Sequence, residues 1–214
     1  VRSETSVNAA LLDGSRVGFV GTATIGTDHM DMEYLKKRDV RWASAPGCNA
    51  NSVSEYIVAA LLTLAGRQGE TLRGKTLGVV GVGNVGSKVA RKAEGLGMTV
   101  LLNDPPLARL TGEKKFLPLD ELMEADMVTL HVPLSTAGPD ATVHFFNAER
   151  MARMKPGSVL INTSRGKVVD GKALAEKMGN GRLAGTILDV WENEPFIDTG
   201  LLDRAFLGTP HIAG

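Results

Sequence analysis

Short apolar runs alternate with amphipathic stretches along nearly the whole chain. "RVGFVG" (16–21) and "VRWASA" (40–45) have the look of buried strands, and "DMEYLKKR" (31–38) between them carries apolar residues at helical spacing. Together they predict a βαβ-type unit. The longest helical pattern is "NSVSEYIVAALLTLAGR" (51–67). Asn51 or Ser52 marks its start, and Glu55, three residues beyond Ser52, completes a capping box. A second series then begins, with strands expected at 76–81, 99–104, 114–119, 127–133, 158–164, 185–190 and 206–210. Helical stretches intervene at about 85–96, 119–125, 147–154 and 171–178, and "ARLTGEKK" (108–115) reads as a polar surface loop. Strand runs that are apolar throughout require cover on both faces, and hence a parallel sheet. Right-handed crossovers then give a doubly wound α/β fold.

Composition narrows the picture by exclusion. At 214 residues the chain can hold one large domain, or a medium one with part of another. Lys plus Arg (24) equals Asp plus Glu (24), so no basic field points to nucleic acid. No apolar run approaches the roughly 18 residues of a membrane span. The single cysteine, Cys48, excludes an internal disulfide and fits a reducing compartment. No base neighbours it in sequence, so it reads as a small buried apolar residue rather than a nucleophile. No signal peptide is seen. The chain opens on Val1 and stops at "TPHIAG" without a closing helix, so a piece of a longer protein is expected.

Candidate chemistry starts at "VVGVGNVGSKVA" (79–90). A pyrophosphate needs donors at close range, and a helix N-terminus supplies unpaired N–H groups at the positive end of its dipole. Gly81 ends a strand, Gly83 permits close backbone approach, and Gly86 lets helix and strand pack. Asn84 and Val85 lie inside the same loop and count with the glycines as cofactor-binding. Asp104 ends the next strand, placed to accept from the adenosine ribose hydroxyls and to repel a 2′-phosphate, which favours NAD over NADP. A structural glycine turn with no ligand is the alternative.

Further polar residues follow strand ends: Arg165 in "NTSRG", Asp189 and Glu194 in "DVWENEP", and His211 in "TPHIAG". Ligands of open α/β sheets bind beyond the carboxyl ends of the strands, so these side chains are expected to converge there. The set suits hydride transfer on a 2-hydroxy acid. Histidine titrates near the working pH and can take the hydroxyl proton. A carboxylate orients the imidazole and stabilises its charged form. An arginine grips a substrate carboxylate. Each also has a plainer reading: a surface or core histidine, an arginine capping a strand–helix turn, a loop carboxylate at 194, a turn cap at 189.

"GVGNVG", "SRGKVVD", "LDVWENEP" and "TPHIAG" together resemble the D-2-hydroxyacid dehydrogenase family. "VRSETSVNAALL", "FVGTATIGTDHMD", "SAPGCNANSVSEY" and "NDPP" resemble a branch of that family acting on a phosphorylated 2-hydroxy acid. The resemblance implies a Rossmann NAD domain at 46–210 with an interdomain helix at 51–67. It also implies a partial flavodoxin-like substrate domain at 1–45, with 211–214 returning toward it. It implies an NAD-linked oxidation in a cytoplasmic homodimer, with Arg165, Glu194 and His211 catalytic, Ser3 and Thr24 binding substrate, and Asp104, Asp189 and Gly214 binding NAD. No metal is implied. Val132 stands where the family carries a threonine that contacts NAD. The rival readings are a dehydrogenase of another 2-hydroxy acid, such as glycerate or 3-phosphoglycerate, and a non-catalytic NAD-sensing protein.

Overall fold

A computed structural model describes residues 1–2, 5–24 and 26–214. The chain divides into two compact units, Val1–Asn51 and Ser52–Gly214.

The first unit contains α1 (Ala9–Leu12), β1 (Phe19–Thr22), α2 (Met32–Lys37) and β2 (Arg41–Ser44). β1 and β2 pair in parallel with α2 as their crossover, which is the expected βαβ unit. Val20, Leu35 and Val40 form its core with Val7, Leu12 and Met30. The two strands are not buried throughout, as their apolar content suggested. In β1 only Val20 and Thr22 are covered while Phe19 is exposed, and β2 is open, with Trp42 exposed. Alternate residues of a strand point to opposite faces; one face of β1 is covered, whereas β2 has no buried residue on either. Cys48 is exposed as well, its Sγ 3.5 Å from the Ala23 carbonyl, so it is not the buried residue expected.

The second unit opens with α3 (Ala50–Gln68), which begins just before the unit boundary. The helix starts earlier than the capping-box pattern indicated, so Asn51 and Ser52 lie within its first turn. Six parallel strands follow: β3 (Thr76–Val80), β4 (Thr99–Asn103), β5 (Met127–Leu130), β6 (Ser158–Asn162), β7 (Leu183–Leu188) and β8 (Leu207–Gly208). Their order is β4-β3-β5-β6-β7-β8. The helices are α4 (Gly86–Gly95), α5 (Pro105–Thr111), α6 (Leu119–Leu122), α7 (Ala148–Arg153), α8 (Gly171–Gly179) and α9 (Thr199–Leu202), with a single 3-10 turn at Gly166–Val168.

The apolar strands are sorted residue by residue between two cores. Val79, Met127, Val159 and Ile187 face the side covered by α3 and α4, with Ile57, Leu61, Leu64 and Val89. Their neighbours Val80, Val128, Leu160 and Leu188 face the other side, with Leu122, Met151 and Leu174 from α6, α7 and α8. A period of two across a sheet covered on both faces yields a continuous apolar run.

Two expectations fail around β4. The strand expected at 114–119 is reduced to one parallel bridge, Leu102 to Phe116. The loop expected at 108–115 is helical through Thr111. Asp104 caps α5 by accepting from Leu107 N, prolines fill its first positions, and Gly112 ends it at φ 69°. No residue of α5 is buried, so no apolar stripe announces it.

Candidate active site

The chain order reverses at β3, which has β4 on one side and β5 on the other. At such a reversal the loops leaving the carboxyl edge of an open α/β sheet diverge, which is where its ligands bind. The glycine loop lies at this point. Gly81 adopts φ +85°, and a Cβ there would stand 2.6 Å from the His131 carbonyl oxygen and 3.0 Å from Val132 Cγ1. At Gly86 a Cβ would stand 1.9 Å from the Gly81 oxygen. Both positions are closed to side chains by the protein itself. Gly83 is different: no atom lies within 4 Å of where its Cβ would be. The fold leaves that space open, as a ligand approaching the backbone requires.

The start of α4 carries the same message. Side chains of Asp104, Asn147, Asp170 and Asp198 cap α5, α7, α8 and α9. α4, like α6, begins with no side-chain cap; its Ser87 and Lys88 amides bond back to the Gly83 and Val85 carbonyls, so the donors a phosphate would meet are the loop amides ahead of them. These residues therefore fit a dinucleotide pyrophosphate. Asp104 braces the loop: its Oδ2 accepts from Val82 N at 2.7 Å and its Oδ1 from Leu107 N at 2.9 Å.

The second group of site residues lies along the same edge, past β6, β7 and β8. Asn162, buried at the end of β6, folds the next turn. Its Nδ2 donates to the Arg165 carbonyl (2.9 Å) and its Oδ1 accepts from Ser164 N and Oγ. Arg165 Nη1 donates to the Ser164 carbonyl at 2.8 Å. At Gly166 a Cβ would fall 1.9 Å from the Trp191 carbonyl oxygen, so this turn is pressed against the segment leading to Glu194.

Glu194 Oε1 accepts from Trp191 N at 2.6 Å, and its Oε2 lies 3.0 Å from His211 Nδ1. The side chains of His211 and Glu194 are only 19% and 24% exposed, so solvent screens the pair weakly. The hydrogen bond to Glu194 raises the His211 pKa; burial opposes it, the charges of Glu194 and Asp189 add to it, and Arg165 pulls it down. Burial alone would raise Glu194, but the bonds from His211 and Trp191 N, with the charges of His211 and Arg165, leave it below the ordinary carboxylate value. Arg165 thus lies within electrostatic reach of both.

His211 has φ 55°, a left-handed backbone that is costly for a residue with a Cβ. Asp189, buried at the end of β7, holds it. Three successive amides turn toward this residue: His211 N to its carbonyl oxygen (2.8 Å), Ile212 N to Oδ1 (2.8 Å) and Ala213 N to Oδ2 (2.9 Å). Gly214 follows directly.

The remaining histidines are excluded by their settings. Burial drives His131, beside the glycine loop, down to about 3, so it stays neutral at physiological pH. His144 pairs with Glu192 at 2.6 Å on the surface, and His29 bonds Thr22 Oγ1 in the first unit. Thr24, also in that unit, is buried, and its hydroxyl donates to the Gly26 carbonyl. Ser3 lies outside the described residues. Two groups were not anticipated, Asn162 and Thr209. Both are buried or half-buried polar residues flanking the strand-end motifs, and "INTSRG" and "GTPH" are where a closer reading would have found them.

A parallel sheet with a bare glycine turn at its switch point and a carboxylate–imidazole pair on the same edge is the architecture of a dinucleotide-binding domain. Residues 53–213 match the family described as D-isomer specific 2-hydroxyacid dehydrogenase, NAD binding domain, and the chain belongs to that family. The erythronate-4-phosphate dehydrogenases of Chromohalobacter salexigens and Salinibacter ruber are each 53% identical to it, over 215 and 220 residues. All of this chain is matched and 56% of each relative, so the chain spans little more than half the length of these curated relatives. Among solved structures, D-lactate dehydrogenase from Aquifex aeolicus complexed with NAD and lactic acid superposes with a TM-score of 0.79 at 31% identity, covering 100% of this chain and 75% of that one. NAD-dependent formate dehydrogenase from Staphylococcus aureus in complex with NAD gives 0.76 at 29%, covering 92% and 65%.

Proposed function

We propose that the protein, at its natural length, oxidises 4-phospho-D-erythronate to 2-oxo-3-hydroxy-4-phosphobutanoate with NAD, in pyridoxal 5′-phosphate (vitamin B6) biosynthesis. The observation that carries the reaction class is the pairing of His211 Nδ1 with Glu194 Oε2 at 3.0 Å. The 53% identity to erythronate-4-phosphate dehydrogenases carries the substrate. When bound, NAD supplies the acceptor for the hydride leaving C2. The chain's own residues do the rest. With Nδ1 of His211 donating to Glu194, the basic lone pair of the neutral ring sits on Nε2, which takes the hydroxyl proton. Glu194 stabilises the imidazolium so formed. Arg165 holds the substrate carboxylate and polarises the developing carbonyl. The glycine loop, with Gly81, Gly83, Asn84, Val85 and Gly86, would hold the pyrophosphate, Asp104 would accept from the adenosine ribose hydroxyls, and Asp189 and Gly214 would complete the NAD site. Residues 1–45, with Ser3 and Thr24, contribute to substrate binding.

The working form is a cytoplasmic homodimer. No helix among the described residues is long and apolar enough to cross a membrane. The full-length protein should form NADH fastest with 4-phosphoerythronate when compared with D-lactate, D-glycerate and 3-phosphoglycerate. Preference for another of these acids overturns the substrate. NAD binding with no turnover of any overturns the enzyme reading.

A further inference from the structure

Two of the three amides that hold His211 in its left-handed turn, those of Ile212 and Ala213, end on one carboxylate, and that carboxylate has a further partner. Thr209 Oγ1 donates to Asp189 Oδ1 at 2.6 Å. A carboxylate only accepts, so the single hydroxyl proton of Thr209 is committed to it. The second bond of Thr209 Oγ1, 2.7 Å from Tyr56 Oη, must then be donated by the tyrosine. The bonds therefore run in one direction: Tyr56 to Thr209 to Asp189, whose two oxygens also receive Ile212 N and Ala213 N. The Thr209 carbonyl is fixed as well, accepting from Trp191 Nε1 at 2.9 Å. Tyr56 belongs to α3, whose apolar face is packed against the sheet, so the relay ends on a rigid element. Burial keeps the Tyr56 hydroxyl protonated well past neutrality, so the donor is always present.

We infer that Thr209 and Tyr56 are positioning residues for His211: their hydroxyls hold the Asp189 carboxylate in the orientation that fixes the 211–213 turn. This rests on the role proposed above for His211. Neither side chain bonds His211 itself; each acts through Asp189. Such a role lowers turnover while leaving substrate and cofactor binding in place, because the imidazole is misaimed while the pockets remain.

Three substitutions in the full-length protein test it, with thermal melts to confirm folding. Thr209→Val keeps the shape and removes the hydroxyl; kcat should fall about tenfold, the scale of one hydrogen bond to a charged group, with both KM values within about twofold. Thr209→Ser should restore kcat to within about twofold of the parent, a change too small for a lost hydrogen bond. Tyr56→Phe should lower kcat about threefold, as for a neutral hydrogen bond, and should add nothing to Thr209→Val, because its effect passes through the missing hydroxyl. An unchanged kcat in Thr209→Val, failure of the serine to rescue, or losses that multiply in the double variant overturn the inference. If Thr209→Val does not fold, Tyr56→Phe decides alone: lowered kcat at unchanged KM supports the relay, and parental kcat overturns it. His211→Ala in the same assay separates the two levels. Loss of turnover there with no effect of Thr209→Val refutes only the relay, whereas retained turnover removes the role of His211 and the relay with it.

Discussion

The glycine turn at 81–86 and the corner formed by Arg165, Glu194 and His211 occupy one edge of one sheet, yet they are built by opposite means. The turn works by omission. Two of its glycines are forced by the protein's own backbone, the third faces open space, and the helix behind it has no side-chain cap. The corner works by saturation. Asn162 ties the arginine turn, Gly166 presses it onto the Trp191 segment, and Asp189 takes three amides and a hydroxyl. A site for a ligand's phosphates needs exposed donors, whereas a site that moves a proton needs side chains with one orientation. The two regions should therefore be separable by mutation.

The widest separation is expected from His211→Ala. Turnover should fall roughly 100- to 10,000-fold, the usual worth of a general base, while NADH affinity stays at the parental level. Steady-state kinetics beside NADH fluorescence titration measures both. A parallel loss of affinity would mean that the corner and the turn are one unit.

Gly86→Ala probes the opposite side. Its Cβ would stand 1.9 Å from a backbone oxygen, so α4 or the turn must shift. Overpacking of this kind costs about 1–3 kcal/mol. NADH affinity should weaken roughly 10- to 100-fold and the melting midpoint should drop by several degrees. An unshifted melt would show that the turn is more plastic than its geometry implies.

The same contrast governs what could be read from the chain alone. The omitted side chains of the turn are visible as glycines, and the strand before them and helix after them complete the signal. The candidate residues of the corner are visible as types placed after strand ends, but not all of their supports are. Thr209 matters because of polar contacts to Tyr56 and Asp189, distant in sequence, and a linear pattern carries no trace of those partners; Asn162 acts locally, on Ser164 and Arg165, and in "INTSRG" it is one polar residue among several. The helix at 105–111 was missed for a related reason. It buries nothing, so it has no periodicity, and only its caps, Asp104 and Gly112, give it away. The strand expected at 114–119 shrinks to a bridge at Phe116, while Leu117 and Leu119 lean partly on a core assembled from distant segments.

Within the corner, Glu194→Gln keeps the shape and removes the charge. His211 must be neutral to act as a base, so oxidation should rise with pH through its raised pKa, above the ordinary 6.5. Without the Glu194 charge, Asp189 still pulls that value up and Arg165 still pulls it down, so the limb should move to lower pH. The plateau should fall roughly tenfold, from loss of a charge-assisted bond. Stability has its own window. The raised histidine contributes fully below 6.5 and loses its effect as pH rises through its folded value. The lowered glutamate contributes fully above 4.5 and loses its effect as pH falls through its own. Glu194→Gln should thus cost most stability between about 4.5 and 6.5, measured as the pH dependence of the melting midpoint. A cost that is flat across pH would show that the ion pair is not what holds the corner.

The smallest expected effect is the most specific. Gly83→Ala adds one methyl where the protein has no atom within 4 Å, so folding stability should stay within about 0.5 kcal/mol of the parent. The methyl would instead occupy the space through which a pyrophosphate reaches the loop amides. NADH affinity should fall about fivefold, close to 1 kcal/mol, with the melting midpoint unmoved in the absence of nucleotide. That pairing of an unchanged fold with a weakened ligand distinguishes a binding loop from a structural turn, because a turn has no ligand to lose. Unchanged NADH affinity in Gly83→Ala would return this glycine to the structural class of its two neighbours.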